Sequence, residues 1–123
     1  MIAADSSSLI AYLGGEAGPD IERILQALMA GDFRIPAPAV SELLIKGDPA
    51  QITQFIEEAP LLPIEDGFWQ RVGASRRLLY SKGLKAALGD SLIAQCCIDA
   101  DVPLISRDRD YRHFERWCGL KLA

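Results

Sequence analysis

Apolar and polar residues alternate along this chain with two different periods, and the switches between them divide it into short strands and longer helices. Ile2-Ala3-Ala4 is an apolar run of strand length that ends at Asp5. Ser6-Ser7-Ser8 then offers an N-cap to a helix through Leu9-Ile10-Ala11-Tyr12-Leu13, which Gly14-Gly15 stops. Pro19 suits a first helical position, with Asp20 and Glu22 favourable near the positive end of the helix dipole. Ile21, Ile24, Leu25, Leu28 and Met29 recur at helical spacing and predict one buried face, and Gly31 closes that helix. Phe33 and Ile35 flank Arg34 as in a short strand, with Pro36 and Pro38 stiffening its exit. Ala39 to Lys46 reads as a helix that carries Glu42 and turns Val40, Leu43 and Leu44 inward. Gly47-Asp48-Pro49 breaks it and caps the next, whose Ile52, Phe55 and Ile56 share a face that ends before Pro60.

Leu61-Leu62-Pro63-Ile64 has strand length, and Pro63 limits it to a sheet edge. From Asp66 a longer helix runs through Phe68, Trp69, Val72 and Leu79 to Lys82-Gly83, weakened at its middle by Gly73. Gly89-Asp90-Ser91 opens an apolar helix bearing Leu92, Ile93, Cys96, Cys97 and Ala100. Val102 to Ile105 is a brief strand, left by the turn Ser106-Arg107-Asp108. The remainder contains Tyr111, Phe114 and Trp117, and Gly119 to Leu122 is a candidate last strand. Strands alternating with helices imply βαβ units around a short, mostly parallel sheet. The expected fold is a single three-layer α/β/α domain over residues 1–123.

Composition narrows the setting. The chain is 50% hydrophobic, without repeats or low-complexity segments, and contains no apolar run near the roughly 18 residues of a membrane span. Its first residues place Asp5 where a signal peptide would be apolar, and its three cysteines form neither a disulfide framework nor a CxxC pair. A cytoplasmic protein with reduced thiols is expected, and no membrane partner. The formal charge of −4 argues against wholesale polyanion binding, but the distribution is uneven. No acid lies between Asp66 and Asp90, where Arg71, Arg76, Arg77, Lys82 and Lys85 contribute +5, leaving −9 on the rest of the chain. That segment is either a solvated helix face or a rim that follows phosphates, and Arg107, Arg109 and Arg112 add charge around Asp108.

Asp5, Glu42, Asp90 and Asp108 stand where apolar structure leads up to them. Singly, each has an ordinary explanation as a cap, a solvated helix residue or a turn former. Together they acquire another, because in open α/β sheets ligands gather beyond the carboxyl ends of the strands. Clustered carboxylates repel and raise one another's pKa values unless a cation lies among them, and oxygen-only ligands suit Mg2+ or Mn2+. Other catalytic machinery is thin. His113 is the only histidine and cannot form a two-histidine site, Cys96 and Cys97 belong to an apolar helix, and Cys118 has no evident base. Glycines 14, 15 and 18 do not spell a dinucleotide fingerprint, and Ser6 and Ser7 read first as helix caps.

Asp5-Ser6-Ser7-Ser8-Leu9-Ile10, Ser41-Glu42-Leu43, Gly89-Asp90-Ser91-Leu92-Ile93-Ala94 and Ser106-Arg107-Asp108-Arg109-Asp110-Tyr111 resemble the ordered acidic motifs of PIN-domain nucleases. Length and motif order look most like the toxin ribonucleases of VapBC-type toxin–antitoxin systems. The resemblance implies a metal-dependent endoribonuclease using Mg2+ or Mn2+, with Asp5, Glu42, Asp90 and Asp108 as both metal-binding and catalytic residues. Asp110 competes with Asp108 for the fourth place, and Ser106 looks like the hydroxyl residue found before the last acid. Ser6, Ser106, Arg76, Arg77, Lys82, Lys85 and Arg107 are the candidates for contact with an RNA substrate. The resemblance also implies a homodimer and a small antitoxin that covers the acidic pocket. The alternatives are a phosphoester hydrolase outside toxin biology, and a catalytically silent PIN-like or receiver-like binding module. Asp5-Ser6-Ser7 lacks the second acid of a haloacid-dehalogenase motif, and an intact acid set argues against silence.

Overall fold

A computed structural model describes residues 1–123. The order of elements is β1 (Ile2–Ala4), α1 (Ser6–Leu13), α2 (Pro19–Met29), β2 (Phe33–Pro36), α3 (Ala39–Lys46) and α4 (Pro49–Glu58). Then follow β3 (Leu61–Leu62), α5 (Phe68–Ser81), α6 (Leu88–Ala100), β4 (Leu104–Ile105) and α7 (Tyr111–Cys118). The four strands form one parallel sheet in the order β3-β2-β1-β4. Each strand therefore needs a crossover to reach its neighbour, and the helices supply them. The result is a three-layer α/β/α arrangement, with α2 packed on β1, β2 and β4, and α6 on β2 and β3. β3, which contains no proline of its own but ends before Pro63, is an edge strand as expected.

The strands are short and apolar because both faces are covered. Ala3, Ala4, Phe33, Ile35, Leu104 and Ile105 are buried in a core of 24 residues that also takes in Leu9, Ile24, Leu43, Ile52, Ile93 and Phe114. Phe55 joins α4 to it, with ring centroids 6.2 Å from Phe33 and 5.9 Å from Tyr12. No helix is long and apolar enough to cross a membrane.

Several local expectations need revision. The N-cap of α1 is Asp5, whose carboxylate accepts from the Ser8 backbone N–H, so Ser6 and Ser7 are the first helical residues and not the caps. On α2 the buried residues are Ile24 and Ala27, whereas Leu25 and Met29 are 46% and 80% exposed. At 100° per residue Ala27 lies roughly 60° to one side of Ile24 and Met29 about 140° to the other, so contact through the small Ala27 rolls Met29 outward. Leu44 of α3 is likewise exposed, and Leu43 carries the burial. α6 begins at Leu88, two residues before Asp90. The segment after Asp108 forms a helix, α7, with Tyr111 and Phe114 buried one turn apart. The expected last strand shrinks to one parallel bridge, Leu104 to Leu122.

A candidate metal centre beyond the strand ends

The register of β1 against β4 builds the floor of the site. Ala3 pairs with Leu104 and Ala4 with Ile105, so the next residues, Asp5 and Ser106, emerge side by side. The Asp5 N–H donates to the Ile105 carbonyl at 3.1 Å, and the Ser106 hydroxyl donates to Asp5 Oδ2 at 2.7 Å. Asp5 is only 2% exposed. It is nevertheless well satisfied, since Ser7 Oγ donates to Oδ2 at 2.9 Å and the Ser8 N–H to Oδ1 at 3.0 Å. One acid thus ends a strand, caps a helix and anchors the loop after another strand.

Glu42 arrives on α3, after the proline-stiffened exit of β2, and accepts from Ser6 Oγ at 2.7 Å. Gly89 of α6 stands against it, so close that a Cβ there would lie 2.9 Å from Glu42 Oε1. Asp90 follows in the first turn of α6, where the helix dipole favours an anion. The loop after β4 supplies the rest. Asp108 N–H donates to Ser106 Oγ at 2.9 Å, and Asp110 N–H donates to Asp108 Oδ1 at 2.9 Å, a tight turn that presents both acids.

Asp90, Asp108 and Asp110 each offer a carboxylate oxygen within 4.8 Å of the others'. Asp5 and Glu42 do not join that group but flank it, Asp5 through Ser106, which accepts from the Asp108 N–H, and Glu42 against Gly89 and within the field of Asp90. Burial pushes the Asp90 carboxyl above its ordinary range, and the charges of Asp108, Asp110 and Glu42 push it further. The Tyr111 hydroxyl opposes that shift by donating to Asp90 Oδ1 at 3.4 Å. Tyr111 itself is buried and lies within the field of Asp5, Asp90, Glu42 and Asp108. Burial and that field raise its pKa far above normal, so it stays a proton donor. Lys85 forms an ion pair with the cluster, at 3.2 Å from Asp110, which holds its ammonium charged.

An all-oxygen group of this size fits a hard divalent cation, which would relieve the part of the Asp90 shift that its acidic neighbours add to burial. The structure brings both Asp108 and Asp110 to this group, next to Asp90. Tyr111 escaped the sequence reading. Its only signal there is an aromatic directly after the last acid, which is equally the signal of a core residue.

The expected substrate contacts divide. Ser6 and Ser106 face carboxylates, as above. Arg107 donates to Asp20 at 2.8 and 3.1 Å and to Glu16 at 3.4 Å, tying the site loop to the start of α2. That guanidinium holds the Asp20 carboxyl below its usual range. Arg76 donates to the Ala86 carbonyl at 3.0 Å and lies 5.8 Å from the Tyr80 ring, while Lys82 Nζ sits 3.7 Å from the centre of the Trp117 ring. Arg77 is exposed.

Known structures share this architecture. The VapBC2 complex of Rickettsia felis, bound to a DNA fragment from its promoter, contains a chain similar to this one with a TM-score of 0.79 at 17% identity. That similarity covers 100% of this chain and 98% of the other. The DNA-bound VapBC of Salmonella typhimurium gives 0.76 at 19% identity, over 100% and 98% of the two chains. FitAcB of Neisseria gonorrhoeae gives 0.74 at 16%, over 99% and 96%. Identities this low speak for the fold alone. No curated protein matches the chain in sequence. The profile of the PIN domain, however, matches residues 2–116, from β1 into α7 and across every acid of the cluster, and by that match the chain belongs to the PIN-domain family.

Proposed function

We propose that this protein is a divalent-metal-dependent endoribonuclease that acts as the toxin of a toxin–antitoxin pair in the cytoplasm. The observation that carries the catalytic half is the convergence of Asp90, Asp108 and Asp110 within 4.8 Å, flanked by Asp5 and Glu42. These five acids would hold Mg2+ or Mn2+. When bound, such a cation stabilises the charge of an in-line phosphodiester displacement and lowers the pKa of the attacking water.

The chain's own groups keep the acids in place. Ser7, Ser106 and the Ser8 N–H fix both oxygens of Asp5, and Ser6 fixes Glu42. Tyr111 orients Asp90 through its retained proton, and Lys85 balances Asp110. No side-chain nucleophile is required: burial raises the Cys97 thiol, which lies within the field of Asp5, far above the ordinary range, so it stays protonated. Membership of the PIN family supports a nuclease, and the VapBC likeness of the fold supports the toxin setting with an antitoxin as partner. A second copy of the chain is the other partner in this reading.

The test is to induce the protein alone, with and without Asp5→Asn, and map new RNA ends. Asn is nearly as good an N-cap as Asp, so the variant should fold and lose cleavage. New ends that appear equally with both proteins would refute the catalytic assignment. Rescue of growth by a short reading frame adjoining the gene tests the toxin setting separately.

A further inference from the structure

The acid cluster is not the only feature at the end of β4. A cavity of about 350 Å3 is lined by Arg107, Asp108, Arg109 and Arg112 together with Leu122 and Ala123. Asp108 belongs to both the cavity and the three-acid group. The three guanidinium groups are not equivalent. Arg107 is neutralised by Asp20 and Glu16, whereas Arg109 and Arg112 are exposed and enter no ion pair or side-chain hydrogen bond. A backbone hydrogen bond from the Arg112 N–H to the Arg109 carbonyl, 3.1 Å, closes the turn that brings them to the same cavity. Two unpaired arginines in a protein of net charge −4, placed beside a carboxylate cluster, are a standing site for an anion.

We propose that Arg109 and Arg112 hold a backbone phosphate of the RNA, next to the scissile one, and act as positioning residues. The proposal rests on the nuclease reading above and deepens it by locating the strand. Arginine suits the task because its planar fork matches phosphate oxygens in a bidentate way and stays charged at any working pH. The negative charge of Asp108 does not forbid an anion nearby, because Arg107, Arg109 and Arg112 line the same cavity and, on the nuclease reading, its cluster would hold a divalent cation. The basic segment between Asp66 and Asp90 is a weaker candidate for that phosphate. There Arg71 is spent on Asp99, Arg76 on the Ala86 carbonyl, Lys82 on the Trp117 ring and Lys85 on Asp110, which leaves Arg77 as a single free charge outside the cavity that Arg109 and Arg112 share.

The experiment compares the wild type with the double variant Arg109→Gln/Arg112→Gln. Both side chains are exposed and unpaired, so equal melting curves are expected and establish that the fold is intact. Affinity for a fluorescein-labelled oligouridylate is measured in Ca2+ against salt, and cleavage of the same probe in Mn2+. Loss of one phosphate contact should weaken binding about tenfold and flatten the salt slope by about 0.7. KM should rise in step while kcat moves less than about twofold, because neither arginine touches the reacting atoms. A probe with one neutral methylphosphonate linkage locates the phosphate, since at the right position it should weaken the wild type and not the variant. Wild-type affinity and slope in the variant would overturn the proposal while leaving the nuclease reading intact. Unchanged RNA binding with weaker binding of an oligoglutamate peptide would also overturn it, assigning the arginines to an acidic protein partner. A wild type that neither binds nor cleaves the probe, nor any cellular RNA, would overturn both.

Discussion

Asp90→Asn should make the metal-free protein more stable while abolishing its activity. Asp90, Asp108 and Asp110 hold oxygens within 4.8 Å of one another. Two unit charges at that distance repel by about 3.5 kcal/mol at an effective dielectric constant of 20 and by about 0.9 kcal/mol in water. Asp108 is exposed and Lys85 neutralises part of Asp110, so the lower half of that range applies. Removing the Asp90 charge should therefore add about 1–2 kcal/mol, or roughly 3–6 °C in melting temperature for each kcal/mol in a chain of this size. The amide carbonyl still accepts from Tyr111, so that contact is not the source of the change.

The pH dependence has a definite sign. Burial and neighbouring acids raise the folded-state pKa of Asp90 above its unfolded value. Its protonated form then favours folding at low pH, and that contribution is lost as pH rises through the raised pKa. In EDTA, the advantage of Asp90→Asn over wild type should be largest at neutral pH and vanish below about pH 4, the ordinary carboxyl range. Mn2+ should reverse the order. At 100 times its dissociation constant it adds about 2.7 kcal/mol to the wild type and much less to the variant. Thermal melts across pH, with and without Mn2+, measure all three quantities. A metal-free variant less stable than wild type, or equal Mn2+ shifts in both, would refute the reasoning.

Two further substitutions probe neighbouring parts of the structure. Gly89→Ala places a Cβ 2.9 Å from Glu42 Oε1, which must move, while alanine is the better helix former. The melting temperature in EDTA should hold or rise, and the Mn2+ concentration needed for half the stabilisation should increase several-fold; an unaltered Mn2+ titration would show that Glu42 is remote from the metal. Asp99→Asn breaks the bond pair from Arg71 Nε at 2.9 Å and Nη2 at 2.6 Å that joins α5 to α6. Burial raises the Asp99 carboxyl, but hydrogen bonds from Arg71 and Gln95 outweigh it and hold the group below its usual range. Because Arg71 is 41% exposed, a cost of about 1–2 kcal/mol at pH 7 is expected, short of the 3–5 for a fully buried pair. That cost should fade as acid protonates Asp99, and urea melts at pH 7 and pH 3 would expose an error as a difference that does not change with pH.

The acids were legible in the sequence and the cations were not, for a physical reason. Asp5 and Ser106 each follow a short apolar run, and a parallel sheet delivers the carboxyl ends of such runs to one edge whatever lies between them. The parallel sheet, the α/β/α layering and the breaks at Asp48-Pro49 and Gly14 were legible too, whereas Glu42 and Asp90 lie on helices and stood out through the acidic motifs they belong to. What failed was local competition. Asp5 and three serines all qualify as caps, and only the tertiary partners decide. Ser6 turns to Glu42 and Ser106 to Asp5, 36 and 101 residues away, which leaves Asp5 as the cap.

Position along the chain says less about a long cationic side chain. Its charge is several bonds from the backbone and settles on whatever acceptor, ring or carboxylate lies within reach. The +5 of the segment from Asp66 to Asp90 is real, yet four of its five members point to Asp99, Ala86, Trp117 and Asp110, and only Arg77 is left without a partner. Arg107, at the centre of the last acidic motif, is drawn 87 residues away to Asp20. The cations that matter to a polyanion are those left without a partner, and partnership is a property of the fold. A run of positive charge therefore fixes the sign of the local field, whereas the path of a bound strand depends on which guanidinium groups the structure leaves free.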